Sequence, residues 1–310
     1  MTGAGNIDQL LRWTGDTTGH RVLGCRPHPA SGRSRRLWIV QIDRPGRAEP
    51  LLLRSETGLG PFAGTPFTLV REARVLTALR RTPVPVPVVH GVTEDGSTML
   101  LQLLPGQVAV DASTPAGRLA MTNYGRQLAE LHQLDPTTVP LPQPVTPADH
   151  ALLDLTAHHS GYRTHCPPSP LVDQTFNWLA EHAPDLAGRT SVLHGDAGPG
   201  NFLHRDGRIT GLIDWEMTHV GDPHDDLAWL WFRIAVLGDG LGLGPAYRAY
   251  AEASGRPIDD QRVAYYRMAV LFRCLVATMV RQAHNPDSDP EPVQRMSRLT
   301  RSALSNKLLE

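Results

Sequence analysis

The sequence predicts an α+β fold of two lobes, a small β-rich lobe (residues 1–102) followed by a larger, mainly helical lobe (103–310). Three observations carry that expectation. Short apolar runs bounded by turn formers fill the first hundred residues, and apolar positions at helical spacing dominate from residue 115 onward. The length of 310 residues is long for one domain and short for two large ones, and 41% hydrophobic residues suffice for a sizeable core.

The elements follow in order. HRVLGC (20–25) and RLWIVQI (36–42) read as strands flanking RPHPASGRSRR (26–36), a loop of turn formers and arginines. PLLLR (50–54) is a short strand of the buried type. In 65–81, Leu69, Glu72, Ala73, Leu76 and Leu79 repeat at helical spacing, with Thr65–Pro66 as the N-cap and first-turn pair. VPVPVVHG (84–91) leads into a further strand, and STMLLQLLPG (97–106) into another that Pro105–Gly106 ends. Helices are expected over 115–134, 173–183, 222–237 (N-cap Asp222, with Pro223 in the first turn) and 258–283. Between them lie a Pro-rich connector (136–147) and a glycine-rich stretch, LGDGLGLGPAYRAY (237–250). The latter is not G-x-G-x-x-G and follows a helical pattern, so it reads as a linker rather than a dinucleotide loop.

Charge narrows the function. The net charge is −1, split into +4 over residues 1–139 (15 Arg, 11 Asp+Glu) and −5 over 140–310 (15 Lys+Arg, 20 Asp+Glu). That balance argues against nucleic acid or an anionic membrane as the main partner. Cys25, Cys166 and Cys274 are odd in number and widely spaced, which fits reduced thiols and a cytoplasmic protein. The N-terminal stretch lacks the pattern of a signal peptide, and no run approaches the roughly 18 uninterrupted apolar residues of a spanning helix. The only lysine is Lys307, so any phosphate-binding cation in the body of the chain must be arginine.

The chemistry concentrates in LHGDAGPGNFLHRDGRITGLIDWE (193–216). His194, Asp196, Asn201, His204 and Asp214 are residue types that hold paired metals in phosphoesterases, but nothing repeats the pattern elsewhere. HRDG (204–207) reads as a tight turn between two short strands with Asp206–Gly207 at its tip. Phosphoryl transfer accounts for the rest: it needs a carboxylate facing an alcohol, and amide and carboxylate oxygens on Mg²⁺. His194-Gly195-Asp196 followed by Asn201 is H-G-D-x-x-x-x-N, the spacing of a kinase catalytic loop with glycine in place of arginine. A short hairpin can then return Asp214 beside Asn201.

LHGDAGPGN (193–201), GLIDWE (211–216) and GDPHDDLAWL (221–230), in that order, together with LAELHQLD (128–135) and VPVPVVHG (84–91), resemble the aminoglycoside phosphotransferase family over residues 20–285. The resemblance implies a protein-kinase-like bilobal fold and transfer of the γ-phosphate of ATP or GTP, with Mg²⁺, to a small hydroxylated acceptor. It implies Asp196 as catalytic base, with His194 beside it as a prop of the loop, and Asn201 and Asp214 as metal ligands. Kinases place a lysine on the third strand, paired to a helix glutamate. Here Arg54 ends the strand and Glu72 lies on the helix; the alternative is a solvated strand end. A similar L-R ending occurs in the kinase domains associated with acyl-CoA dehydrogenases. Ser31, Gly32 and Ser34 stand where a loop would cover the phosphates, or form a solvated turn. Leu101, Gln102 and Leu103 stand at the adenine hinge; the alternative is side chains that belong to the core. Glu216 orders the metal segment or reaches substrate. Asp222, Asp225 and Asp226 read as helix caps, and in the family Asp226 resembles the buttress of the catalytic loop. His132, Trp229, Trp231 and Phe232 read as core.

The acceptor stays open at this stage. The acidic back half suits a cationic antibiotic, whereas Arg262, Arg267, Arg273 and Arg281 on 258–283 suit an acidic or CoA-linked hydroxyacid. A nucleotide-binding pseudokinase scaffold is a third reading, left open by Arg54 and the glycine-poor loop and opposed by the intact Asp196, Asn201 and Asp214. A monomer or homodimer is expected.

Overall fold

The computed structural model describes residues 7–31, 35–58, 65–146, 149–185, 190–237 and 242–308. The N-terminal lobe is an antiparallel sheet of five strands, β1 (Val22–Pro27), β2 (Arg35–Arg44), β3 (Arg47–Glu56), β4 (Val89–Val92) and β5 (Thr98–Gln102), in the order β1-β2-β3-β5-β4. β2 and β3 form a hairpin with Arg44 opposite Arg47, so Pro45–Gly46 is the whole turn. Gly46 sits at φ 87°, the left-handed conformation such a turn needs after proline. β3, ten residues long, is twice the length of the expected strand PLLLR (50–54). Pro50, which has no N–H, is tolerated because pairing with β5 begins only at Leu51.

Both faces of the sheet are covered, which sets where Arg54 points. Leu51, Leu53 and Leu100 pack with Leu10 of α1 (Ile7–Thr18), a helix absent from the sequence expectation. Leu52, Met99 and Leu101 join the opposite cluster with Leu69 and Leu76 of α2 (Leu69–Leu79). Alternation with period two therefore puts Arg54 on the α2 side. The cap of α2 is Thr68, whose side chain accepts from Arg71 N at 3.2 Å, rather than Thr65. Thr65–Pro66 instead precede the helix as a bend.

The second lobe is helical: α3 (Pro115–Gln133), α4 (Asp149–His165), α5 (Pro170–Glu181), α6 (His224–Trp231), α7 (Gly244–Ser254), α8 (Asp260–His284) and α9 (Glu291–Leu308). α4 and α9 were not expected, and α7 occupies the second half of the stretch read as linker; residues 238–241 of that stretch lie outside the described residues. α3 and α7 approach so closely at Gly125 that a Cβ there would sit 2.2 Å from the Ala246 carbonyl oxygen. α8 is the central core helix. It is long and apolar enough to cross a membrane by length and composition, yet 67% of its apolar window is buried inside the protein. Its fully buried Arg273 donates to Asp154 of α4 at 2.7 Å and to both oxygens of Asp225 of α6 at 2.7 and 2.6 Å. Asp225, expected as a helix cap, is thus half of an internal ion pair. The cap position falls on Pro223, one residue later than expected, and Asp222 just ahead of it accepts from His224 N at 3.0 Å.

Two small ladders complete the lobe, β6 (Ser191–Leu193) with β9 (His219–Gly221) and β7 (Phe202–Arg205) with β8 (Arg208–Leu212). The β7–β8 turn is the tight one expected, with Asp206 at φ 52° and Gly207 at φ 80°. The whole is the predicted α+β arrangement, a β-rich part followed by a helical part.

Candidate active site

The segment between β6 and β7 carries His194, Gly195, Asp196 and Asn201. It is held from below by Asp226, fully buried in the first turn of α6. One carboxylate oxygen accepts from His194 N at 2.7 Å and from His132 Nε2 at 3.0 Å, and the other from Gly195 N at 2.9 Å. Burial works against this charge, but the hydrogen bonds and imidazoles around it prevail and hold the carboxyl below the usual range. Gly195 sits at φ 82°, and a Cβ there would lie 2.0 Å from the Met217 carbonyl oxygen, so only glycine lets the loop cross the 214–218 segment this closely.

His194 is fully buried, and burial pushes its imidazole pKa down despite the carboxylates nearby. Nε2 donates to the Ile213 carbonyl at 3.0 Å and Nδ1 accepts from Asp196 N at 3.3 Å. Both ring nitrogens are committed to backbone, and the ring lies against the Trp215 indole at 4.6 Å between centroids. Asp196 is differently engaged. Arg233 Nε donates to its Oδ1 at 2.8 Å, Arg233 Nη2 pairs with its Oδ2, and Asn201 Nδ2 donates to Oδ2 and to the Asp196 carbonyl, both at 2.8 Å. Arg233 emerges from a π-helical turn, Phe232–Val236, that continues α6. No spacing rule links it to Asp196, 37 residues away, and sequence reasoning missed it.

Asn201 also ties this loop to the next carboxylate, its carbonyl accepting from Ile213 N at 3.0 Å. Asp214 then adopts φ 66°, one of two non-glycine residues in the left-handed region among the described residues. Two arginines of the N-terminal lobe meet it: Arg35 Nη1 at 2.9 Å and Arg54 Nη1 at 3.5 Å from Oδ1. Burial opposes its charge, but these guanidinium groups outweigh burial and hold Asp214 below the usual carboxylate range. Arg54 is not a solvated strand end. It is 5% exposed, donates to Glu72 Oε1 at 3.0 Å and reaches Glu216 Oε2 at 3.3 Å. Arg35, the first residue of β2, pairs with Glu216 as well.

The strap between lobes is completed from α2. Glu72 accepts from Trp215 N at 3.2 Å, and Arg71 donates to the carbonyls of Glu216 at 3.0 Å and of Thr218. Glu72 is 2% exposed, and its pKa is raised because desolvation outweighs the Arg54 charge.

Other expected residues stand apart. Ser31 is exposed, its hydroxyl accepting from Leu37 N at 3.1 Å; Gly32 and Ser34 lie outside the described residues. Gln102 turns its side-chain oxygen to Val88 N at 3.3 Å and so braces β5 against the preceding segment, while Leu103 is half-buried just past the strand. His204 donates to the Ala109 carbonyl at 2.8 Å, a structural role. Of the α8 arginines offered for an acidic acceptor, Arg262 is paired with Asp222 at 2.8 Å, Arg273 is internal, and Arg267 lies over the Trp231 ring at 4.9 Å.

Among the described residues no group of three His, Cys, Asp or Glu side chains is placed to hold a metal ion. Magnesium asks for less: one or two carboxylates, with the remaining oxygens from substrate phosphates and water. An Asn201 amide oxygen with the Asp214 and Glu216 carboxylates is an all-oxygen set that fits. Two guanidinium groups already gathered on Asp214 mark the place as one that takes positive charge.

The sequence profile of the phosphotransferase enzyme family (APH) matches residues 26–266. Acyl-CoA dehydrogenase family member 10 of Mus musculus is 28% identical over 192 residues, 58% of this chain and 18% of that protein. Across seven curated relatives that it matches, the chain spans between 18% and 37% of their length. Among solved structures, choline kinase LicA from Streptococcus pneumoniae superposes with a TM-score of 0.71 at 14% identity, covering 97% of this chain and 99% of that one. A thermostable mutant of aminoglycoside phosphotransferase APH(4)-Ia, in a ternary complex with ADP and hygromycin B, superposes at 0.64 with 19% identity, covering 96% and 98%. The bilobal fold is therefore the kinase-like one, and with more than three quarters of its length inside the family profile, the chain belongs to the phosphotransferase enzyme family.

Proposed function

We propose that this phosphotransferase moves the γ-phosphate of ATP or GTP to a hydroxyl of a small molecule, with an antibiotic or related natural product as the foremost acceptor class. The observation that carries the reading is the convergence where the two lobes meet of Asp196, Asn201 and Asp214 with the buried Arg54–Glu72 pair, which ties the strand cation to Asp214. The solved relative with ADP and hygromycin B supports a nucleotide donor and a hydroxylated antibiotic as acceptor. Internal pairing of Arg262 and Arg273 removes part of the case for an acidic acceptor. A hydroxylated acyl-CoA is the second acceptor class, favoured by the similarity to acyl-CoA dehydrogenase family member 10. The protein acts in the cytoplasm, as monomer or homodimer, without nucleic acid or membrane.

In the reaction a bond forms between the acceptor oxygen and the γ-phosphorus while the bond to the β–γ bridging oxygen breaks. Asp196 accepts the hydroxyl proton and aims the oxygen in line. Arg233 and Asn201 fix the carboxylate so that one oriented edge faces the acceptor. His194, neutral and bonded at both nitrogens, props the loop. Arg54, positioned by Glu72, binds phosphate oxygens through its planar fork, in the place of the usual lysine. Asn201 and Asp214, with Glu216 behind, would hold Mg²⁺, which when bound supplies charge neutralisation of the phosphates.

The test is a screen for ATP and GTP consumption against aminoglycosides, macrolides, nucleosides and hydroxyacyl-CoAs, with mass analysis of products. A product heavier by one HPO₃ unit, absent with Asp196→Asn, is the expected result. Wild-type protein that binds neither nucleotide with Mg²⁺ would overturn the reading.

A further inference from the structure

Arg35 is placed where a metal–nucleotide complex would compete with it. It opens β2 and reaches across to the other lobe. Its Nη1 donates to Asp214 Oδ1 at 2.9 Å and its other terminal nitrogen pairs with Glu216 Oε2. Arg54 touches the same two atoms, at 3.5 and 3.3 Å. Each of these carboxylate oxygens is therefore shared by two guanidinium groups. The two arginines are not equivalent. Arg54 is buried and anchored by Glu72 at 3.0 Å, whereas the Arg35 side chain is 24% exposed and its partners named here are these two carboxylates.

Resting on the phosphotransferase reading, we propose that Arg35 is an exchangeable cation: it neutralises Asp214 and Glu216 while the cleft is empty, and passes to the triphosphate when the metal–nucleotide complex takes those oxygens. The physical grounds are three. A guanidinium and a divalent ion cannot occupy the same carboxylate lone pairs, so one must leave. Arg54 has Glu72 to hold it and Arg35 has no such anchor. A displaced guanidinium at the start of β2 presents a planar fork of donors that matches phosphate oxygens. The chain's single lysine, Lys307, lies near the C-terminus, so the body of the protein offers only arginine for this role.

Exchange makes a prediction that simple structural support does not. Arg35→Gln removes the competitor for the metal site and a ligand for the phosphates, so two affinities must move in opposite directions. Binding of Mn²⁺ to nucleotide-free protein, read from the electron paramagnetic resonance signal of the free ion, is expected to tighten about tenfold or more. Binding of ATP or GTP with Mg²⁺, by calorimetry, is expected to weaken by about tenfold or more. Arg36→Gln, which alters the exposed neighbouring arginine, should move neither. Arg35→Lys keeps the charge without the fork and should leave Mn²⁺ affinity near wild type while weakening nucleotide binding; it decides the matter if Arg35→Gln does not fold. Unchanged or weaker Mn²⁺ binding in Arg35→Gln, or both affinities moving together, would overturn the exchange while leaving the phosphotransferase reading intact. That reading falls separately, if wild-type protein binds neither nucleotide.

Discussion

Replacing Arg54 by methionine should expose what a buried glutamate costs when its partner is gone. Glu72 is 2% exposed and has two close partners, Arg54 Nη1 at 3.0 Å and Trp215 N at 3.2 Å. Removing one member of a buried pair typically costs about 3–5 kcal/mol, because the other charge is left in a poor solvent. The remaining Trp215 bond and the option of protonation place Arg54→Met at the lower end, about 3 kcal/mol at pH 8. Glu72→Gln keeps an acceptor for Trp215 N and leaves Arg54 with Asp214 and Glu216, so about 1–2 kcal/mol is expected. The double variant leaves no orphaned charge on this pair and should lose less than the two single losses together. The pH dependence follows from the raised pKa of Glu72, caused first by desolvation. A carboxyl whose folded pKa lies above the unfolded value favours the fold most below the unfolded value, and that contribution is lost as pH rises through the folded one. Without Arg54 the folded value rises further. The gap between Arg54→Met and wild type should therefore widen from pH 5 to pH 8. Urea unfolding at both pH values, followed by tryptophan fluorescence, measures it. A loss under about 1 kcal/mol at pH 8, or one independent of pH, would refute the view that Arg54 compensates a buried charge.

Other substitutions separate chemistry from support. Asp196→Asn should lower kcat by at least about 10²-fold with nucleotide affinity nearly unchanged, measured by steady-state kinetics and calorimetry, since the loss falls on a transition-state interaction. Gly195→Ala should lower stability by about 2 kcal/mol or more and also cut kcat, because the clash is with the Met217 backbone and the conformation is left-handed; thermal melting and kinetics check both. Arg273→Met, which leaves Asp154 and Asp225 buried without their cation, should cost about 3–5 kcal/mol in denaturant unfolding.

What could be seen in the sequence was whatever repeats over short distances. The strands of the first lobe, α3, α8 and the Asp206–Gly207 turn all carry local signals, and the loop around Asp196 has a fixed internal spacing. The missed helices fail that test for different reasons. α4 buries His150, Asp154 and His158 among Ala151, Leu155 and Tyr162, so polar residues interrupt its apolar period. Among its described side chains α9 buries a narrow seam, Met296, Thr300 and Leu304, among charged residues. α1 had a signal in Ile7, Leu10 and Leu11, lost beside the stronger strand pattern that follows it. At the site, Asp196, Asn201 and Asp214 are named by their spacing, whereas Arg35, Arg71 and Arg233 reach it from distant segments. An arginine whose partner lies 37 or 179 residues away leaves no pattern in the chain.

Arginine at the end of β3 also changes how this protein answers to chemical labelling. Nucleotide analogues that carry an acyl group on their terminal phosphate report on kinases by transferring it to the amine of the strand lysine. Arg54 is a guanidinium that stays protonated and is a poor nucleophile. The sole lysine, Lys307, is far along the chain from every residue of the cleft. A survey that enriches peptides acylated at the strand lysine has no amine to label at this position of the protein. Reagents aimed at carboxylates or at guanidinium groups in the cleft are the ones that would register it.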